Sequence, residues 1–225
     1  MIEEAKARKG YLEYISSINH SLTRQLKKHS NETIKLVHDT LKMHAEHGVN
    51  DSRFAITMYF GLKQKVFTSQ NLPQILPLLK TNAECGHDVE NLATALFSGL
   101  QSKAFTSENL PRVLELLSKH AEELKEKGNV ATLAAALLNN EFREKVLNFK
   151  EREPEKFEKL NPYLLKGGQL LHGVETTEYN KISARLFQHI LETFEENPEK
   201  LESEKFWKSA RLYAKQLKAL SGVLK

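Results

Sequence analysis

The chain has 225 residues, of which 28% are charged and 40% are hydrophobic, a balance that is typical of a folded protein and excludes global disorder. Its 33 basic and 29 acidic side chains are largely interleaved and give a formal net charge of +4, which permits an acidic partner without requiring one. Because Cys85 is the single cysteine, no internal disulfide can form, and a reducing cytoplasm is the simplest expected location.

Residues 1–29 are predicted to form an N-terminal capping helix. The start of the chain lacks the apolar segment of a signal peptide, and no apolar run reaches about 18 residues, so we expect neither a cleaved leader nor a membrane span. Apolar residues instead recur on one side of a helix over about residues 3–28. They are Leu12, Ile15, Ile18, Leu22 and Leu26.

The central segment, residues 30–150, contains a repeat. The sequence from Phe67 to Leu79 returns from Phe105 to Leu117, a shift of 38 residues, and a weaker copy starts at His29. A period of this length is typical of helical-repeat arrays, whose units bury their apolar faces against their neighbours. Apolar residues recur at i, i+3 and i+7 in every copy, which predicts the first helix of a helix pair. The three columns are Ile34, Leu72 and Leu110; Val37, Ile75 and Val113; and Leu41, Leu79 and Leu117.

Each first helix has start signals in the sequence. A hydroxyl side chain stands before the apolar run, where its oxygen can accept hydrogen bonds from the N–H groups of the first turn. Pro73 and Pro111 fall within about the first turn, where a missing donor matters little. Pro77 lies in mid-helix, and we expect a kink or a later helix start there. The hydroxyl residues are Ser30, Thr68 or Ser69, and Thr106 or Ser107.

A second apolar stripe follows each first helix after a polar turn that contains Gly48, Gly86 or Gly128. Small residues recur along these second helices, which lets stacked helices approach closely. The stripes are Ala55–Leu62, Ala93–Leu100 and Ala131–Leu138. Residues 30–150 are therefore predicted to form three helix-pair repeats.

Residues 151–225 are predicted to form a degenerate fourth repeat and a C-terminal capping helix. Ile182–Ile190 follows the pattern of the second helices, and a last helix is expected over about residues 203–221. Before them, Pro154 and Asn161–Pro162 indicate helix starts, and Gly167–Gly168 indicates a break. Because no useful length of the chain alternates at period 2, the predicted fold class is all-α. The specific expectation is a right-handed α-solenoid of stacked antiparallel helix pairs with a capping helix at each end.

The repeat unit, with Phe105–Leu110 followed by spaced leucines, a polar turn and a small-residue helix, resembles the octotricopeptide repeat family. That resemblance covers roughly residues 30–150 and implies RNA binding along a basic groove. The chain is also similar to HEAT and armadillo solenoids, which bind proteins, and to the compact α-helical effectors of intracellular bacteria. These likenesses imply a protein partner. The likeness to effectors implies that the partner is a host protein and that the chain is delivered to a host cytosol without a cleaved signal peptide.

Basic residues at equivalent repeat positions are the candidate partner-binding residues. Lys65, Lys103 and Lys145 each stand at the matching end of a second helix, so stacking would turn them into a ladder of positive charge suited to phosphates or to an acidic surface. The helix dipole alone also favours a lysine near a helix C-terminus, and this is the simpler interpretation. The further candidates, on the first helices, are Lys42, Lys80, Arg112 and Lys119.

No catalytic, metal or cofactor site is expected. A metal site would draw on His38, His44, His47, Asp39 and Asp51. The sequence has neither a His-Glu-x-x-His motif nor a cysteine pair to support one. Cys85 is followed by His87 and Asp88 in a predicted turn, but adjacency in sequence is not the geometry of a catalytic triad. Motifs for nucleotide binding and acyl transfer are also missing, so we expect no enzymatic activity.

The aromatic residues of the last helix have two interpretations. Phe206, Trp207 and Tyr213 could anchor a partner, or they could pack the end of the array, which is the more common use of such side chains. The sequence as a whole predicts a non-enzymatic helical-repeat module that binds a macromolecular partner. A protein partner is favoured because charges are mixed and catalytic motifs are missing, and RNA is the alternative.

Overall fold

A computed structural model describes residues 2–47, 51–85, 89–123, 130–171 and 180–223. Within these ranges the chain forms twelve α-helices and one short 3-10 helix, and no β-strand, which confirms the all-α prediction. None of these helices combines the length and the hydropathy that crossing a membrane requires. The chain divides into two compact units, Met1–Gln101 and Ser102–Lys225.

The first unit consists of three consecutive helix pairs. Its helices are α1 (Ile2–Ile18), α2 (His20–Leu26), α3 (Asn31–Glu46), α4 (Asp51–Lys63), α5 (Leu72–Glu84) and α6 (Val89–Gln101). The two helices of each pair contact each other, α3 packs against both α1 and α5, and α4 packs against both α2 and α6. First helices therefore contact first helices, and second helices contact second helices. A solenoid over the whole chain, and its right-handedness, stay predictions.

The prediction of one N-terminal capping helix was wrong, because residues 1–29 contain two helices. Asn19 separates them: its backbone is extended, at φ −150° and ψ 100°, which ends α1. The Asn19 side chain then caps α2, since its Oδ1 accepts a hydrogen bond from the Leu22 N–H at 2.9 Å. Ile15, Leu22 and Leu26 are fully buried as the periodicity predicts.

The repeated Phe-Thr-Ser motif forms the turn between α4 and α5. The Val66 N–H donates to the Gly61 carbonyl at 2.9 Å and the Lys65 N–H donates to the Leu62 carbonyl at 3.2 Å. This is a Schellman motif, in which Lys65 takes the left-handed conformation with φ 59°. The chain then turns inward, and Phe67 is buried in the core.

Thr68 and Asn71 form reciprocal hydrogen bonds in the turn that leads into α5. The Thr68 hydroxyl accepts from the Asn71 N–H at 3.3 Å, and the Asn71 Oδ1 accepts from the Thr68 N–H at 2.8 Å, as in a capping box. The Asn71 amide also donates to the Val66 carbonyl at 2.9 Å, which ties the cap to the preceding turn. Thr106, Asn109 and Ala104 form the same three bonds one repeat later. The predicted cap at Ser30 is thus confirmed, whereas Thr68 and Thr106 accept their bonds in the turns that precede α5 and α7, and Asn71, the residue before α5, forms no side-chain cap bond with that helix.

The first helices pack through the predicted apolar columns, and all nine column residues are buried. Helix α5 nevertheless runs unbroken from Leu72 to Glu84 with Pro77 inside it, so the expectation of a later helix start was wrong. Pro77 is exposed, which places the missing N–H donor on the water side of the helix rather than in the core. Pro73 lies in the first turn of α5, as predicted.

In its described residues, the second unit contains six α-helices and a short 3-10 helix over Pro198–Glu202. They are α7 (Leu110–Glu123), α8 (Val130–Ala136), α9 (Asn140–Arg152), α10 (Pro154–Leu170), α11 (Asn180–Glu196) and α12 (Glu204–Val223). Helix α8, the second helix of the third predicted repeat, is short because Asn139 starts a new helix. The Asn139 side chain accepts a hydrogen bond from the Phe142 N–H at 3.0 Å. Helix α11 packs against α8, α9 and α10.

Two local predictions for α10 were wrong, and one was confirmed. The helix begins at Pro154, as predicted, but it continues through Pro162 and through Gly167–Gly168, where a start and a break were expected. Gly167 is a close-packing residue, because a β-carbon there would lie 2.6 Å from the Ile190 Cδ1 on α11. Tertiary packing therefore overrides the local helix-breaking tendency of glycine.

The predicted last helix is confirmed as α12, and Trp207 packs it into the core. The Trp207 ring is buried, stacks on Tyr163 at a centroid distance of 6.4 Å, and donates its Nε1–H to the Leu201 carbonyl at 2.6 Å. A buried indole with its N–H satisfied is a structural residue rather than an exposed anchor.

Candidate functional site

Four of the predicted partner-binding cations form ion pairs with carboxylates. The pairs are Lys80 with Glu84, Arg112 with Glu151, Lys119 with Glu158, and Lys145 with both Glu141 and Glu192. The hydrogen bonds that Lys145 donates to Glu192 and to Glu141 raise its pKa, so its positive charge is paired with carboxylates of this chain. These side chains do not form an unpaired basic stripe.

Helix α9 carries much of this pairing within the second unit. Its Lys150 reaches Glu115 on α7 at 2.5 Å, and its Arg152 reaches Glu195 on α11 at 3.2 Å. Lys145 on the same helix pairs with Glu192 on α11 at 2.9 Å. The cations of α9 thus bridge neighbouring helices, and they offer little net charge to a polyanion.

The three lysines predicted to share one position do not all share it. Lys145 lies in the middle of α9, whereas the third second helix, α8, ends at Ala136. Lys65 and Lys103 do occupy equivalent places, with φ 59° and 60°, just after α4 and α6. Together with Lys42 they are exposed and form no ion pair with the part of the chain that the structure describes.

Apolar side chains are exposed on the outer face of α4. Ile56 and Phe60, one helical turn apart, are each 44% exposed. The Tyr59 ring contacts Phe60 at a centroid distance of 5.2 Å, and the Lys63 ammonium lies 5.5 Å from the centre of the Tyr59 ring. Arg53 stands one turn earlier with a side chain that is 70% exposed. We call Arg53, Ile56, Tyr59, Phe60 and Lys63 the α4 patch.

The repeat itself does not require the apolar character of the α4 patch. At the positions 38 residues later, on α6, Thr94 replaces Ile56 and Ser98 replaces Phe60. Both sets of residues belong to second helices that fold in the same way. The fold therefore tolerates polar side chains at these positions, and the exposed apolar ones on α4 are not explained by folding.

A pocket of about 330 Å³ lies between α11 and α12 in the second unit. Its walls are apolar, formed by Leu186, Phe206 and Ala210, while Arg185 and Tyr213 place polar groups at it. The imidazole of His189 also lines the pocket and stacks on Phe206 at a centroid distance of 5.3 Å. The structure therefore divides the aromatic residues of α12: Trp207 is core, while Phe206 and Tyr213 line a cavity.

The electrostatics of this pocket favour a protonated phenol. Burial raises the pKa of Tyr213, and the nearby positive charge of Arg185 acts in the opposite direction. The Tyr213 hydroxyl therefore stays protonated over the physiological range. Sequence reasoning missed this site because Arg185 and Tyr213 come from two helices whose facing sides one sequence does not specify.

The residues considered for metal binding have different structural surroundings. His44 is fully buried and packs edge-on against Phe54, while the Nδ1 of His38 lies 2.9 Å from the Asp39 Oδ1. Within the described ranges, no group of three or more His, Cys, Asp or Glu side chains is arranged to hold a metal ion. The side chain of Asp51 is outside the described part.

Cys85 is exposed at the end of α5, where its N–H donates to the Thr81 carbonyl at 3.1 Å. The two residues that were weighed as its partners, His87 and Asp88, lie outside the described residues. The structure therefore gives the thiol no observed catalytic partner in the described ranges.

Comparison of the chain with protein-family models, with curated proteins and with solved structures finds no match. The likeness to octotricopeptide, HEAT and armadillo repeats thus stays a resemblance of sequence pattern. The surface features that bear on the function of this chain are the α4 patch, the α11–α12 pocket and the distribution of charge.

Proposed function

We propose that this chain is a non-enzymatic helical-repeat module that binds a protein partner through the α4 patch. The observation that carries the proposal is the exposure of Ile56 and Phe60 on neighbouring turns of one helix. Large apolar side chains that are exposed together, with aromatic and basic residues beside them, are typical of protein-binding hot spots.

The charges at the edge of the α4 patch specify the chemistry of the partner. Arg53 and Lys63 flank the apolar side chains, so a complementary surface would present apolar groups to Ile56 and Phe60 and carboxylates to the two cations. Among the described residues, Arg53 is engaged only by a long ion pair of 3.9 Å to Glu90, and an exposed pair of this kind contributes little to stability. Arg53 can therefore turn toward a partner with little loss of stability.

The distribution of charge supports a protein partner more than RNA. Binding to a nucleic-acid backbone depends on cations that are available to neutralise phosphates. Of the residues predicted for that role, Lys80, Arg112, Lys119 and Lys145 are paired with carboxylates. The positions of Lys65 and Lys103 are accounted for by helix termination.

The second repeat supplies a matched variant for the test. Ile56→Thr combined with Phe60→Ser gives α4 the residues that α6 carries at the equivalent positions. The full-length chain and this variant would be immobilised, and proteins retained from cell lysate would be compared by mass spectrometry. We expect the variant to keep its helical circular dichroism and melting temperature and to lose a protein that the unchanged chain retains in saturable amounts.

A charge-reversed variant separates the protein partner from RNA. This variant combines Lys42→Glu, Lys65→Glu and Lys103→Glu. It should still bind the protein partner, because none of the three lysines belongs to the α4 patch. Fluorescence anisotropy with a randomised single-stranded RNA, from about 50 to 200 mM salt, covers the alternative. The RNA alternative requires two results: saturable RNA binding that weakens with salt and is lost in the charge-reversed variant, and an α4 variant that retains the same proteins as the unchanged chain. Together they would overturn the proposal in favour of RNA binding.

A further inference from the structure

We infer that the pocket between α11 and α12 is a binding site for a small amphipathic carboxylate. In this arrangement the apolar body of the ligand packs against Leu186, Phe206 and Ala210, and its carboxylate meets the guanidinium of Arg185. The site lies in the second unit, away in sequence from the α4 patch, and the inference does not depend on the proposed protein partner.

Helical periodicity builds the pocket. Phe206, Ala210 and Tyr213 recur at i, i+4 and i+7 on α12, so their side chains share one face of that helix. They face Arg185 and His189, which are one turn apart on α11. A volume of about 330 Å³ is at the lower end of the range for small-molecule sites, which are mostly apolar with a few converging polar groups.

The charge of the pocket is one-sided. Among the residues that the structure describes, its lining contains one arginine and one histidine and no aspartate or glutamate. Arg185 is exposed and forms no ion pair with the described part of the chain, in contrast to the cations of α9. A guanidinium that has no ion pair among the described residues and lies beside an apolar cavity is complementary to one carboxylate, with which it can form two parallel hydrogen bonds.

Tyr213 and His189 extend this preference. Tyr213 lines the same pocket, and the positive charge of Arg185 opposes the rise that burial causes in the pKa of Tyr213. The His189 ring stacks on Phe206 and forms part of the wall, where protonation would add a second positive charge. A cationic ligand would be repelled here, and a neutral one would gain less from Arg185 than a carboxylate would.

The only tryptophan of the chain provides a direct readout. Trp207 is buried, and its ring lies 5.1 Å from the ring of Phe206, which lines the pocket. A ligand that packs against Phe206 should therefore change the emission of Trp207. The probes are octanoate, 1-octanol and octylammonium, which share an alkyl chain and differ in the charge of the head group.

Titration of the full chain should show a saturable change of Trp207 emission with octanoate, a weaker one with 1-octanol, and the weakest with octylammonium. Arg185→Gln should weaken octanoate at least about tenfold, as expected for loss of a charge-assisted hydrogen bond, and leave 1-octanol unchanged. The control is Arg211→Gln, which removes an exposed arginine of α12 that does not line the pocket.

A variant that fills the cavity completes the test. Ala210→Phe should abolish the response to octanoate and 1-octanol while the melting temperature stays within a few degrees of that of the unchanged chain. The inference is overturned if octanoate gives no saturable response, if the three probes bind equally, or if Arg185→Gln and Arg211→Gln behave alike. The Ile56→Thr, Phe60→Ser variant should bind octanoate like the unchanged chain, so either proposal can fail without the other.

Discussion

The ring of Phe67 occupies the space that a side chain on Gly61 would need. A β-carbon at Gly61 would lie 2.1 Å from the Phe67 Cδ2, far inside any normal contact. The Gly61 carbonyl also accepts the Phe67 N–H at 2.9 Å, so the chain folds back tightly over the last turn of α4. Glycine is unfavourable in a helix, and its use here is explained by the docking of Phe67.

Replacing Gly61 by alanine should therefore destabilise the chain, although alanine is the better helix former. We expect the free energy of unfolding to fall by about 1–3 kcal/mol, as for overpacked cores, when urea unfolding is followed by circular dichroism. Gly10→Ala is the matched control, because nothing lies within 4 Å of a β-carbon there and α1 should gain about 0.5–1 kcal/mol. Equal gains from both substitutions would contradict the packing argument.

Lys65 ends α4 in a conformation that suits glycine better. With φ at 59° it is in the left-handed region, where a residue with a β-carbon costs about 1–2 kcal/mol. Lys65→Gly should raise the free energy of unfolding by about 0.5–1 kcal/mol, since glycine also gives up more entropy on folding.

Two controls separate conformation from charge at this position. Lys65→Ala removes the charge but keeps the β-carbon, so it should not stabilise the chain. Lys35→Gly makes the same replacement at an exposed position inside α3, where glycine should lower the stability by about 1 kcal/mol. If Lys65→Ala stabilised as much as Lys65→Gly, relief of charge repulsion would be the better explanation.

The sequence allowed prediction of the features that depend on local chemistry and periodicity. The columns that include Leu72 and Ile75 are buried, because apolar residues at a period of 3.6 form one face of a helix. Ser30 caps α3, because a hydroxyl before an apolar run can accept from the N–H groups of the first turn. The left-handed backbone of Lys65 could not be predicted, since a lysine near a helix end is equally favoured in ordinary helical geometry.

The features that depend on tertiary contacts were not predictable. Gly167 resembles a helix break in the sequence, but the approach of Ile190 from another helix makes glycine the fitting residue inside α10. The α11–α12 pocket likewise depends on which sides of two helices face each other, and Arg185 and Tyr213 have no motif in common. The exposure of Phe60 was hidden in a stripe that looked like core.

The contact between Gly167 and Ile190 can be tested by rescue. Gly167→Ala should lower the free energy of unfolding by about 1–3 kcal/mol, because its β-carbon would lie 2.6 Å from the Ile190 Cδ1. Ile190→Val removes that one carbon at a cost of about 0.5–1.5 kcal/mol. In the valine background Gly167→Ala should be neutral or stabilising, so the double-mutant cycle should show favourable coupling of about 1 kcal/mol or more. Additive effects would mean that the two residues do not meet.

Buried polar residues recur at the repeat period on the first helices. His44 on α3, Asn82 on α5 and His120 on α7 are each 38 residues apart and are at most 1% exposed. The His120 Nδ1 lies 3.3 Å from the Asn161 Oδ1 on α10. Burial lowers the pKa of His120 to about 4, and the hydrogen bond with Asn161 acts in the opposite direction.

This lowered pKa predicts a loss of stability in mild acid. Above pH 6.5 His120 is neutral in both the folded and the unfolded chain, and burying it carries no protonation penalty. As the pH falls from 6.5 toward 4, His120 becomes protonated in the unfolded chain but stays neutral in the folded chain. The free energy of unfolding is therefore lower by about 3 kcal/mol when the pH reaches the folded pKa.

Asn82 suggests the variant that isolates this effect, because it is the residue found at the equivalent position one repeat earlier. Urea unfolding at pH 7 and at pH 4.5 should show a smaller acid-induced loss in His120→Asn than in the unchanged chain, by about 2–3 kcal/mol. His20→Asn, at an exposed histidine on α2, controls for the removal of an imidazole and should keep the full loss. Parallel pH profiles for His120→Asn and the unchanged chain would show that His120 accepts its proton without unfolding, because the space beside Asn161 would then accommodate the charged ring.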